Sequence, residues 1–182
     1  MISETLAASL TATAAEQEPS HQRRFEDLYR SSRDDLYAYL ATLLGDESTA
    51  EDITALAFER AYRRRRLFNP RRGSERAWLF GIARNAALDE LRRRKRSPAL
   101  SGEQAHLAAD GADTAEATVL RATVRAAMAT LAPRERELIA LKFHGGLTNH
   151  EIARVLGVSH SNAGTLLHRT ITKLREACDE RA

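Results

Sequence analysis

A single cysteine, Cys178, leaves this chain without any intramolecular disulfide framework and fits a reducing compartment. No run of eighteen apolar residues occurs, and the N-terminus has no basic stretch leading into an apolar core. Neither a membrane span nor a secretory signal is therefore expected, and the chain reads as cytoplasmic. Only 4 prolines and 9 glycines punctuate the 182 residues, and no segment shows the strict alternation of a half-buried strand. Catalytic signatures are scarce too. The six histidines, His21, His106, His144, His150, His160 and His168, form neither HExxH nor a Cys/His cluster with zinc spacing. There is no phosphate-cradling glycine loop and no nucleophile motif, so no enzyme, catalytic residue, metal or cofactor is expected.

What is present is mostly Ala, Leu, Arg and Glu, all good helix formers, with 43% apolar content to build cores. The net charge of +3 conceals a division along the chain. Residues 1–20 and 97–118 contain acids but no Lys or Arg and carry −3 and −4, whereas 21–96 carry +6 and 119–182 carry +4. Two basic modules flanking an acidic linker suit a polyanion held at two points, although two solvated helical surfaces would look alike.

Periodicity divides the chain further. Residues 1–20 are small and polar with little pattern and read as a disordered tail. Phe25, Leu28, Tyr29, Leu36, Tyr39, Leu40 and Leu43 then recur at helical spacing up to Gly45. Ser48 and Glu51 read as a capping box opening a second helix toward Arg66. The segment Phe68 to Gly73 is a basic loop, because Pro70 lacks a donor and Asn69 and Gly73 favour turns. Ser74 caps a third helix ending in Arg92-Arg93-Arg94-Lys95-Arg96, and residues 97–118 read as a flexible linker. A helix over residues 119–131 follows, then one with Pro133 in its first position. Thr148 and Glu151 form a capping box, Gly157 marks a sharp turn, and Ser159 caps a last helix. Small or apolar residues at Ile152, Ala153, Leu156, Val158 and Ala163 allow those two helices to cross tightly. This is the grammar of a helix-turn-helix that enters a DNA major groove, and a plain helical hairpin is the alternative. The expected fold is all-α: two small bundles of about 75 and about 60 residues, covering 21–96 and 119–178, joined by the linker.

The segments AEDITALAFERAYRRRRLFNPRRGSERAWLFGIARNAALDELRRRKR and LAPRERELIALKFHGGLTNHEIARVLGVSHSNAGTLLHRTITKLR resemble regions two and four of bacterial sigma factors of the extracytoplasmic-function group. The resemblance implies a transcription initiation factor that binds core RNA polymerase and recognises and melts promoter DNA, with an anti-sigma factor as a further partner. It places Asn69, Arg71, Arg72, Asn85, Arg92 and Arg93 at the minus-ten element. Asn amides can read base edges and Arg can hold phosphates. It places His160, Ser161, Asn162 and Thr165 near bases of the minus-thirty-five element, and His168, Arg169 and Lys173 near its phosphates. Glu51 and Asp52 match the polymerase-binding surface, although acids at a helix start are favourable there anyway. Two departures from the pattern stand out: Leu56 where the family commonly has an acid, and Leu166 where many relatives carry Arg. Trp78, beside Ile82, reads as core packing rather than as a base-stacking platform, and the Arg63 to Arg66 run as either a solvated helix end or a contact with DNA or polymerase. A sigma-like interaction module and a free-standing helix-turn-helix regulator remain as alternatives.

Overall fold

The computed structural model of the chain describes residues 2–96 and 115–180, with side chains from residue 22 and from residue 117 onward in those two stretches. Its helices are α1 (Ile2–Leu44), α2 (Glu47–Arg63), α3 (Glu75–Arg96), α4 (Ala115–Thr130), α5 (Pro133–Phe143), α6 (Asn149–Leu156) and α7 (His160–Asp179). Among the described residues there is no strand. Two single 3-10 turns, Arg65–Leu67 and Pro70–Arg72, bridge α2 and α3.

Three expectations about boundaries change. The backbone of residues 1–20, expected as a disordered tail, is helical from Ile2 onward. Ala, Leu and Glu favour a helix even where no apolar face is marked. Of the linker, 97–114 lies outside the described residues, and 115–118 belong to α4. The start of α2 is not a Ser48–Glu51 box: Asp46, extended at φ −150°, caps it, accepting from the Thr49 amide at 3.2 Å and its hydroxyl at 2.8 Å. Arg94 near the end of α3 donates to the same carboxylate at 2.9 Å, so one cap joins two helices. Replacing Asp46 with Ala is expected to cost about 1 kcal/mol, read as a fall in melting temperature of roughly 2–4 °C.

In the first module α2 and α3 pack on α1 around Leu36, Tyr39, Leu40, Phe58, Leu79 and Phe80. Tyr39 and Phe80 meet with ring centroids 5.4 Å apart. In the second, α7 lies against α4, α5 and α6. The two bundles are not separate bodies strung on a tether, as the sequence suggested. α5 packs on α1 and α6 on α3, and a single buried cluster runs from Leu28 to Leu167.

Ion pairs hold that seam. Glu137 of α5 is 5% exposed and accepts from Arg84 Nε at 2.7 Å and from the Tyr39 hydroxyl at 3.3 Å. Burial, reinforced by the Glu137 charge, pushes the Tyr39 phenol well above its usual pKa, so it stays a donor. Arg76 of α3 spreads its guanidinium over both modules. It reaches Asp35 at 2.6 Å and the Ser31 carbonyl at 3.0 Å on one side, and the Gly145 and His144 carbonyls at 2.6 and 3.2 Å on the other. The hydroxyl of Ser74, which caps α3 by accepting from the Ala77 amide at 3.1 Å, donates to Glu151 of α6.

Candidate nucleic-acid interface

The loop before α3 is shaped by its own side chains. Asn69 accepts from the Arg71 amide at 3.0 Å and so closes the Pro70–Arg72 turn, which leaves its amide NH2 to donate elsewhere. Gly73 follows at φ +129° and ψ −174°, a region open in practice only to glycine. A side chain there would also press on Arg154 of α6, 3.0 Å from where its Cβ would lie.

Beside this loop lies a cleft of about 560 Å³. Asn69, Arg72 and Asn85, three of the six residues expected at the minus-ten element, line it together. Phe68 and Trp78 form an aromatic wall, with ring centroids 5.6 Å apart. Trp78 is half-buried: it packs on the core as expected, and it also faces the cleft. Arg71 is exposed on the adjoining turn. Arg92 and Arg93 lie two turns further along α3, exposed and paired within the helix to Asp89 at 2.8 Å and Glu90 at 2.7 Å. They are not part of the cleft.

In the second module the helix-turn-helix is built as its residues suggested. Thr148 and Glu151 exchange bonds, with the Thr148 amide donating to the carboxylate at 2.9 Å and the Glu151 amide to the hydroxyl at 3.3 Å. Gly157 turns the chain at φ +68°, and Ser159 accepts from the Asn162 amide at 3.2 Å. Ile152, Ala153, Leu156, Ala163 and Leu167 are buried where α6 and α7 cross. His160, Ser161, Asn162, Thr165, His168, Arg169 and Lys173 are all exposed on α7. Lys173 is engaged, however: it donates to Glu135 of α5 at 2.9 Å, the carboxylate that also accepts from the Ala132 amide at the start of that helix. Leu166 is partly buried against the core, so it contributes packing in place of a cation.

Glu51 and Asp52 are exposed on α2, and Leu56, one turn on, packs partly against the core. Sequence reading missed Arg76, Arg84 and Glu137. The signal for Glu137 was its position four residues before Leu141, on the stripe of α5 that is buried.

Several of these carboxylates titrate low. The Thr49 bonds, then Arg94, hold Asp46 below its ordinary value, and bonds from Arg93 and Arg94 do the same for Glu90. Lys173 and the Ala132 amide lower Glu135; for Glu151, burial acts upward but the bonds from Ser74 and Thr148 outweigh it. A carboxyl whose folded pKa lies below its unfolded value contributes stability that is complete above the unfolded value and lost as pH falls through the folded one. Burial likewise holds the His144 imidazole below its ordinary 6.5, so its protonation favours the unfolded chain beneath that value. With reference values of 3.8 for Asp and 4.5 for Glu, the melting temperature is expected to start falling below about pH 6.5 and to fall more steeply below about pH 5.

No group of three or more His, Cys, Asp or Glu among the described residues is placed to hold a metal ion, and no helix among them is long and apolar enough to cross a membrane. The arrangement is that of two polar, cation-bearing surfaces, one a cleft with amide and guanidinium groups, the other a capped helix with a polar outer face.

Comparison with known proteins agrees module by module. The Sigma-70 region 2 family matches residues 28–97, and the Sigma-70, region 4 family matches residues 127–176. The chain is 30% identical over 167 residues to the ECF RNA polymerase sigma factor SigW of Bacillus subtilis, covering 85% of this chain and 89% of that one. It belongs to the extracytoplasmic-function sigma factors. It is also 32% identical over 154 residues to the ECF sigma factor BldN of Streptomyces coelicolor, 82% of this chain but 58% of BldN's length. Among solved structures, the sigma factor RpoE of Bartonella quintana, crystallised with the anti-sigma factor NepR, shares the fold, with a TM-score of 0.71 and 20% identity over 86% of this chain and 98% of that one. The region 2 match thus runs from within α1 through α3, and the region 4 match from the end of α4 into α7.

Proposed function

We propose that this chain acts in the cytoplasm as a promoter-specificity subunit with no catalytic activity of its own: it binds core RNA polymerase, recognises two promoter elements and melts the one nearer the start site. The carrying observation is that Asn69, Arg72 and Asn85 converge on one cleft while the predicted face of α7 is exposed along its length. A displaced base entering the cleft meets aromatic walls for stacking and amides for its edge, and Arg71 and Arg72 take its phosphates. The start of α7 enters the major groove of the upstream element with His160, Ser161, Asn162 and Thr165, while His168 and Arg169 lie toward the backbone. Lys173 reaches a phosphate only by leaving Glu135. Arg92 and Arg93 extend the basic track along α3. Glu51 and Asp52 meet polymerase, and an anti-sigma factor, as in the RpoE complex, is a further partner.

Run-off transcription with purified core polymerase over a genomic promoter library tests this reading. Transcript starts sharing two spaced upstream elements support it. Binding of core without transcripts favours an interaction module, and tight duplex binding without any need for polymerase favours a free-standing regulator. In the same system Asp52→Arg is expected to weaken capture of core polymerase while leaving thermal unfolding unchanged, because the side chain is exposed; unchanged capture removes this surface from the interface.

A further inference from the structure

The cleft has walls beyond those made by α3 and the basic loop. Glu151, Arg154 and Val155 of α6 form one of them, and Arg64 and Leu67 line it where α2 gives way to the Arg65–Leu67 turn. Leu67 is 77% exposed, more than any other large hydrophobic side chain among the described residues. One exposed leucine is ordinary on a protein surface. This one is fixed by a turn at a basic rim: its amide donates to the Arg64 carbonyl at 2.8 Å, and the Phe68 amide donates to the Arg65 carbonyl at 3.3 Å. Phe68 in turn packs on Trp78, so Leu67 extends the aromatic wall of the cleft outward to solvent.

The arginines before it divide by partner. Arg63 pairs with Glu59 at 2.7 Å, and Arg65 lies over the Tyr62 ring, 4.1 Å from its centroid, while donating to the Tyr62 carbonyl at 2.9 Å. Arg64 is exposed and is the one of the four, Arg63 to Arg66, that lines the cleft. We propose that Leu67 is a strand-separating wedge and Arg64 its anchor. When a base swings into the cleft, Leu67 packs on the face of the neighbouring base pair that has lost its stacking partner, and Arg64 holds the phosphate between that pair and the displaced base. The inference rests on the promoter-binding reading and gives the melting step two residues besides those that meet the displaced base. Unstacking is a main cost of opening a duplex, and an aliphatic side chain covers the bared face without asking for a hydrogen bond. Such a contact carries no base preference, so Leu67 governs how readily the strands part and leaves the choice of sequence to others. The cation beside it holds the backbone close enough for the wedge to enter.

The test uses holoenzyme assembled from core polymerase and the full chain, on a promoter taken from the run-off library. The promoter is supplied both as a fully paired duplex and as a heteroduplex already unpaired across the minus-ten element. With Leu67→Ala, permanganate-reactive open complexes on the duplex are expected to fall about tenfold, the unstacking being left uncompensated. On the unpaired template the same variant matches wild type. Leu67→Met, whose apolar chain still fills the gap, retains activity on the duplex, and Leu67→Asn does not. Arg64→Ala weakens binding to both templates and lowers the slope of log affinity against log salt by about one, as loss of one phosphate contact requires. Both side chains are exposed, so thermal unfolding and capture of core polymerase stay at the wild-type level in every variant. An equal loss on the two templates, or no loss on either, overturns the wedge. An unchanged salt slope in Arg64→Ala overturns the anchor. Absence of transcripts with the wild-type chain refutes the promoter-binding reading and the wedge with it, a result distinct from an active wild type matched by an equally active Leu67→Ala.

Discussion

Gly145→Ala is expected to destabilise the fold by about 3 kcal/mol, the upper range for forcing an extra carbon into a filled site. A Cβ at this position would lie 2.4 Å from the Leu141 carbonyl oxygen and 3.2 Å from the Leu147 side chain. The nearer neighbour is backbone, and it cannot swing aside. Leu141 O already accepts from the Leu147 amide at 3.2 Å, so moving it breaks the turn that ends α5. The Gly145 carbonyl is also one of the points that Arg76 grips across the seam, at 2.6 Å. For a chain of this length the loss corresponds to roughly 6–12 °C in melting temperature. Gly146→Ala is the control: its φ is +61° but nothing lies within 4 Å of the added carbon. Only the left-handed backbone opposes it, at about 1–2 kcal/mol. Thermal melts of the two variants that fail to rank in this order would show that the turn rearranges freely.

Asn85→Ala is expected to lower open-complex formation on a cognate promoter by between about 5-fold and 150-fold, the range for one base-edge contact of about 1–3 kcal/mol. Asn85 lies exposed on α3 at the cleft. Ala is the better helix former, so no loss of stability should accompany the defect. Arg92→Ala touches only an exposed side chain paired to Asp89 at 2.8 Å outside the cleft, and the deficit should be smaller and should shrink as salt is raised. Permanganate footprinting of the melted region, with polymerase binding measured in parallel, separates the two. Equal melting by Asn85→Ala and wild type would remove Asn85 from the reading set.

Local chemistry made most of this fold legible before any coordinates. Gly45, Gly157, Ser74, Pro133, Ser159 and the Thr148–Glu151 pair act on their immediate neighbours, and each does in the structure what its residue type allows. At the start of α2 two cap formers stood two residues apart. The extended backbone at Asp46, with Arg94 arriving from the far end of α3, decides between them, and only the second contact is non-local. Glu137 was hidden for a related reason. In the run Arg134-Glu135-Arg136-Glu137 it looks like one more solvated charge, and only the approach of Arg84 and Tyr39 from the other module makes its burial tolerable. The merging of two expected bundles into one core depends on the same long-range contacts. The cleft was half legible: Asn69 and Asn85 announced themselves in the basic loop and helix, but the α6 wall belongs to residues about seventy positions downstream.

The buried carboxylate at the seam also limits how freely the two halves could be exchanged between relatives. A greasy contact tolerates sliding, since any apolar surface will cover another, whereas one carboxylate accepting from a guanidinium and a phenol fixes both the rotation and the offset of the parts. A graft that brings in a region 4 with leucine at the Glu137 position would leave Arg84 and the Tyr39 hydroxyl facing each other across the joint without an acceptor. Such a hybrid would keep two well-formed halves and lose their mutual registry, so the halves of this chain are matched parts.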